Sequence, residues 1–104
     1  MIIDLDAHQG NGYERDFMYD ANVFTCDIYN ADIFPGDAYA MQGIDQQLFI
    51  TEEDNDETYM QKISAIKVSL DSFQPQLVIY NAGTDVLEGD PLGGLHISKD
   101  GIIK

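Results

Sequence analysis

The sequence predicts an α/β domain built on a parallel sheet. Short apolar runs at Ile2–Asp6, Asn22–Tyr29 and Gln76–Tyr80 lack clean polar alternation, as strands covered on both faces do. Helical stretches separate these runs in the order β-α-β-loop-α-β, which implies parallel pairing through right-handed crossovers. Each run leads into acidic residues, so polar groups gather at one edge of the sheet, where open α/β sheets bind ligands.

The elements follow in order. Ile2-Ile3-Asp4-Leu5-Asp6 reads as a buried strand ending in acids. His8-Gln9-Gly10-Asn11-Gly12 is a glycine-containing loop, and Tyr13–Asp20 has the composition of a short helix. Asn22–Tyr29 is rich in β-branched and aromatic residues, the mark of a second strand. Residues 30–50 read as irregular, with a turn at Phe34-Pro35-Gly36-Asp37. Thr51–Phe73 reads as one long helix: Thr51 and Asp54 form a start signal and acids crowd the first turns. Tyr59, Ile63, Ile66, Leu70 and Phe73 make one apolar stripe, and Pro75 ends the helix. The run Glu52–Glu57 reads as a solvated helix start. Gln76–Tyr80 is the third strand, followed by a Gly-rich loop through Gly94.

The chain has 104 residues, enough for one domain that buries roughly two-thirds of its unfolded surface. Five basic and 19 acidic residues give a net charge of −14. That field repels phosphates, so a nucleic-acid surface and an anionic-membrane surface are both excluded as expectations. The apolar fraction of 44% argues against disorder despite the charge. Cys26 is the single cysteine, so no internal disulfide or cysteine-based zinc cluster forms. With no basic leader-like N-terminus and no long apolar run, a cytoplasmic or nuclear setting is expected.

The chemistry sits at the strand ends. Strand one delivers Asp4, Asp6 and His8, strand two Asp27, and strand three Asp85. Carboxylates converging on one edge repel one another unless a cation neutralises them. Two carboxylates and an imidazole suit zinc at an open site, or iron(II). Asp6 and His8 are two residues apart and share a side in extended backbone. Asp4 shares it too, deeper, as a supporting group. Asp27 is equally readable as a strand-end cap, His96 as a surface residue, and Cys26 as a packed thiol.

At this point the motifs resemble a known family. Asp4-Leu5-Asp6-Ala7-His8-Gln9-Gly10-Asn11-Gly12, Phe34-Pro35-Gly36 and Tyr80–Gly94 resemble, in order, three signatures of zinc-dependent histone deacetylases. The wording of the first and last is most similar to class IV, the histone deacetylase 11 type. The resemblance implies a three-layer arginase/deacetylase-like fold, of which residues 1–104 would be a central part with flanking segments missing. It implies hydrolysis of acyl-lysine amides by metal-activated water, on a protein or a small acyl amide. It implies Asp6, His8 and Asp85 as zinc ligands, with Asp4 orienting an upstream catalytic histidine. It further implies a potassium-type site at Asp4, Asp6, the His8 carbonyl, Asp27 and the Ile28 carbonyl. Family members often carry Ser at the position of Asp27. A second cation site would use carbonyls near Phe17, Asp20 and Val23, and Phe34 and Leu92 would line the acyl-lysine tunnel.

The chain also departs from that pattern. Its only histidines are His8 and His96, so the family's adjacent His-His pair is absent, as is the Gly-Gly-Tyr that supplies an oxyanion tyrosine. These residues alone are therefore expected to be nearly inactive, and a metal-binding or structural piece without activity is the non-enzymatic alternative. A phosphatase of the haloacid dehalogenase type would also place Asp-x-Asp after strand one, but His8 stands where Thr or Val belongs. A two-manganese ureohydrolase would need a further Asp where Gly10 stands.

Overall fold

A computed structural model describes residues 1–104. Four parallel strands, β1 (Ile2–Asp4), β2 (Thr25–Tyr29), β3 (Gln46–Phe49) and β4 (Ile79–Asn81), form one sheet in the order β3-β2-β1-β4. Helix α1 (Asn11–Phe17) links β1 to β2. Helices α2 (Asp56–Ser64) and α3 (Ile66–Phe73) link β3 to β4, and α4 (Lys99–Ile103) follows the long loop. This is the α/β parallel sheet that the apolar runs predict.

Register sets the site. Asp4 at the end of β1 lies beside Asp27 of β2 on one side and Asn81 of β4 on the other. All five residues of β2 are buried, as a central strand with apolar neighbours above and below requires. Leu5, Cys26, Ile28, Ile50, Tyr59, Ile66, Val86, Leu95 and Ile97 belong to one core. The helical stripe behaves as its spacing predicts: Tyr59 and Ile66 enter that core, while Ile63, Leu70 and Phe73 pack against it. Burial pushes the Cys26 thiol up to about 12, so it is the inert packed thiol expected.

Four expectations need correction. The stretch read as irregular contains β3, whose Gln46 to Phe49 pair with Cys26 to Tyr29. Two glutamines hide the strand in sequence, yet both amides are used: Gln46 Nε2 donates to the Ala65 carbonyl, and Gln47 Nε2 donates to the Tyr29 hydroxyl at 2.7 Å.

The single helix is two, broken at Ala65, and it starts at Asp56 rather than Thr51. Asn55 is the cap. Its Oδ1 accepts from the backbone of Glu57 and Thr58, and the Thr58 hydroxyl accepts from the Asn55 N–H. Asn55→Ala is expected to cost about 0.5–2 kcal/mol, read as a lower urea midpoint with an unchanged slope. The C-terminal stop comes at Gln74, whose φ of 49° is left-handed, one residue ahead of Pro75.

The acidic run is only partly solvated. Glu52, Glu53 and Glu57 are exposed, but Asp54 is buried on the Lys62 ammonium at 2.6 Å, and Asp56 accepts the Ser98 N–H. The last strand, expected to be buried, is exposed: it is the sheet edge, with Ile79 and Tyr80 both more than half exposed. No helix is long and apolar enough to cross a membrane.

Candidate metal centre

The backbone leaves β1 at Asp4 and bends so that successive polar groups fold back on the chain. The Asp6 N–H donates to Asp4 Oδ1 at 2.9 Å, and the His8 N–H donates to Asp6 Oδ1 at 2.8 Å. These bonds fix the direction of both side chains. From the far loop, Asp85 Oδ1 accepts the buried Ala7 N–H at 2.8 Å, which pins Asp85 over the same turn. Gly83 makes the approach possible, because its Cα lies against the Asp6 backbone where any Cβ would collide.

The result is a three-residue cluster. His8 Nδ1 lies 2.7 Å from Asp85 Oδ2 and 3.1 Å from Asp6 Oδ1. One donor atom from each of Asp6, His8 and Asp85 falls within 4.8 Å of the others. Burial alone would lower the His8 imidazole, but hydrogen bonds to Asp6 and Asp85 outweigh it and raise the net value. Two carboxylates and one ring nitrogen aimed at a common point form an O₂N donor set with room for further ligands, which is what an open zinc site needs. The donors present therefore fit the metal.

Beneath lies a buried acidic layer. Asp4 Oδ1 also accepts from Asn81 Nδ2 at 2.8 Å, and burial, followed by weaker opposing hydrogen bonds, leaves its carboxyl raised. Asp27 is not the strand-end cap that was one reading of it. It sits mid-strand and fully buried, with Oδ2 accepting the Gly10 N–H at 2.9 Å and Oδ1 without a partner. Burial, a contact with Glu14 and the nearby Asp4 charge push Asp27 up to about 9. A carboxyl raised on folding favours the folded state below its ordinary value of 3.8 and loses that contribution as pH climbs through its folded value. Asp27→Asn in chelator is therefore expected to raise the melting temperature at pH about 8 by several degrees, about 1–3 kcal/mol. The gain should vanish near pH 4, checked by thermal melts at both.

A family model for the histone deacetylase domain matches residues 1–104, the whole chain. The chain belongs to the histone deacetylase family. It is 52% identical over 103 residues to histone deacetylase 2 of Arabidopsis thaliana, covering 98% of this chain and 27% of that protein. It is 31% identical over 110 residues to histone deacetylase RPD3 of Saccharomyces cerevisiae, covering 97% of this chain and 25% of that protein. A solved structure of the histone deacetylase Clr3 superposes with a TM-score of 0.76 at 25% identity, covering 92% of this chain and 18% of that chain. The chain thus spans about a quarter of the length of these curated relatives. The histone deacetylase match outweighs the phosphatase and ureohydrolase alternatives.

The structure brings Asp4, Asp6, His8, Asp27 and Asp85 together, and it leaves the other expected residues at the margin. Phe34 and Leu92 are exposed, at 79% and 70%. Each sits on a loop tied to the centre: the Asp37 N–H donates to Gln9 Oε1, and Asn30 Nδ2 donates to the Gly93 carbonyl. The Phe17 and Asp20 carbonyls each accept one backbone N–H in the turn after α1, which leaves each a second lone pair. His96 is exposed, as read.

Sequence reasoning missed Gln9, Glu14 and Asn81 as supporting groups. Gln9 is buried and uses its whole amide, accepting from Asp37 and donating to Glu14 Oε2 at 2.7 Å and to the Asp37 carbonyl. Glu14 is fully buried although it lies in the first turn of a short helix, and nothing in the sequence marks it.

Proposed function

We propose that this chain carries the metal-binding floor of a zinc-dependent deacetylase that hydrolyses the amide of acyl-lysine in a protein, or of a small acyl amide. The observation that carries the reading is the meeting of His8 Nδ1 with the Asp6 and Asp85 carboxylates at the carboxyl ends of parallel strands. Asp6, His8 and Asp85 would hold the ion, and zinc bound there supplies Lewis acidity toward an amide carbonyl and a water.

The chain's own residues supply position. Asp4 holds the Asp6 backbone and is itself held by Asn81, so it steadies the ligand turn and offers a carboxylate to orient a catalytic histidine. The His8 backbone is held by its N–H bond to Asp6 Oδ1. Exposed Phe34 and Leu92 are proposed as tunnel walls for an apolar acyl-lysine stem. Potassium is proposed at Asp4, Asp6, the His8 carbonyl, Asp27 and the Ile28 carbonyl, and a second cation at the Phe17, Asp20 and Val23 carbonyls. The class IV type is proposed on the wording of Asp4–Gly12 and Asn81–Asp85, and an intracellular setting on the single reduced, buried thiol.

Neither histidine can serve as general base while His8 ligates and His96 faces solvent. The 104 residues alone are therefore expected to bind one zinc and to hydrolyse an acetyl-lysine peptide no faster than buffer. Metal analysis of the purified chain and a fluorogenic peptide assay test both halves. Absence of zinc at micromolar excess would defeat the metal reading, and robust zinc-dependent turnover would defeat the inactivity.

A further inference from the structure

Five hydrogen bonds tie Asp37 to the segment that follows His8. The Asp37 N–H donates to Gln9 Oε1 at 2.7 Å, and its carbonyl accepts from Gln9 Nε2 at 3.0 Å. Its carboxylate accepts from Asn11 Nδ2 at 3.2 Å and from two guanidinium nitrogens of Arg15, each at 2.8 Å. The same carboxylate accepts the Ala40 N–H at 3.1 Å, at the start of the short helical turn Ala40–Gly43. Backbone and side chain of one residue are thus both spent on fixing where this loop lies. The bonds from Ala40, then Arg15 and Asn11, hold the Asp37 carboxyl below its ordinary value, so its pair with Arg15 is ionised at neutral pH.

Phe34 depends on this arrangement. It is 79% exposed, so it has little packing of its own to set its direction. On one side Ile33 packs against the core. On the other, Pro35 and Gly36, the latter at a φ of 60°, lead directly to Asp37. Ion pairs near the surface contribute little to stability as a rule. This one is a two-pronged fork, which fixes direction as well as distance. It is also braced: the Arg15 guanidinium carbon lies 5.0 Å from the centroid of the Tyr39 ring, whose hydroxyl meets that of Tyr19 at 3.3 Å. Loss of the fork should therefore disturb position before it disturbs folding.

We propose that Arg15 and Asp37 are positioning residues for the substrate's apolar stem: they hold the Phe34 loop against the segment that carries His8, and they act on the stem through Phe34 without touching it. The inference rests on the reading of Phe34 as a tunnel wall and adds the groups that place that wall. Gln9 joins the two parts, because it follows His8 directly and spends its amide on Asp37. Arg15 supplies what Gln9 cannot. Gln9 holds the Asp37 backbone, whereas the guanidinium fork grips both carboxylate oxygens and sets how the side chain is turned. A lysine at this position keeps the charge but offers a point donor on a flexible stem, so it cannot replace the fork.

Two measurements on the 104-residue chain test this. The first is calorimetric titration of the zinc-loaded chain with acetohydroxamate, a metal-binding head without a stem, and with hexanohydroxamate, the same head on an apolar stem. The parent should bind the longer probe at least ~10-fold more tightly, since each buried methylene is worth up to ~4-fold. Phe34→Ala and Arg15→Ala should each cut that preference below ~3-fold, with Arg15→Lys in between. In Arg15→Ala the zinc stoichiometry and the acetohydroxamate affinity should stay as in the parent. The second measurement is amide hydrogen exchange without metal: Arg15→Ala should speed exchange at Asp37 and Ala40 at least ~10-fold. A stem preference that survives Arg15→Ala, an equal loss of both probes, unchanged exchange at Asp37 and Ala40, or no stem preference in a zinc-bearing parent would each overturn the proposal. A parent that holds no zinc would refute the metal-centre reading instead, and the exchange rates, which need no metal, would still decide whether Arg15 places the loop.

Discussion

Asp85→Ala is expected to lower the zinc affinity of the chain by more than ~100-fold, beyond the ~10–100-fold typical of losing an outer-sphere partner. Competition with a chromophoric chelator near neutral pH measures it. Two losses combine. Asp85 Oδ2, 2.7 Å from His8 Nδ1, is one of only three donor groups, so its removal leaves a two-ligand remnant. Asp85 Oδ1 is also the acceptor for the buried Ala7 N–H, and an orphaned buried donor costs about 1–3 kcal/mol. Ala7 lies between the ligands Asp6 and His8, so relaxation there moves both. Asp85→Asn separates the effects: its side-chain oxygen still accepts from Ala7, which spares the scaffold, but the charge that favours zinc is gone. An Asp85→Ala chain that binds zinc within ~10-fold of the parent would place the metal elsewhere.

The parts of this centre that lie close in sequence were legible from it. Asp6 and His8 stand two residues apart at a strand end, so their convergence follows from local geometry. Asp85 was legible for a different reason: parallel strands bring their carboxyl ends to one edge whatever their separation in the chain. What sequence could not show was partnership across the fold. Glu14 looks like an ordinary acid near the start of a short helix until β2 is placed under it. β3 carries Gln46 and Gln47, a poor strand signature on propensity, and forms because β2 offers it a parallel edge. The break at Ala65 leaves no mark either, since alanine is the best helix former. There the turn of α3 onto Phe24, with Phe24 and Phe73 ring centroids 5.3 Å apart, accompanies the change of course. Exposure of β4 is likewise a property of its place at the sheet edge, because its apolar residues read the same in a central strand.

Gly93→Ala is expected to be the most damaging conservative change in the chain. Gly93 is buried, donates its N–H to Asp90 Oδ1 at 3.0 Å and accepts from Asn30 Nδ2 at 3.2 Å, so its backbone is held at both ends. A Cβ there would run into the Asp85 carbonyl oxygen and crowd the Ala7 Cβ at 3.2 Å. The first of these is backbone, with no rotamer to yield. The chain must shift either the Gly93 turn, losing the Asn30 and Asp90 bonds, or Asp85 itself, losing its aim at His8. Overpacking of this kind costs ~1–3 kcal/mol and at times more, which at about 4–8 °C per kcal/mol is a large fall in melting temperature. Zinc affinity should fall with it, because the obstructed carbonyl belongs to a proposed ligand. Gly12→Ala is the control: nothing lies within 4 Å of its Cβ position in the exposed first turn of α1, and alanine there should be neutral or stabilising by up to ~1 kcal/mol. If the two variants melt together, close approach at Gly93 is not what holds the Asp85 loop over the metal ligands.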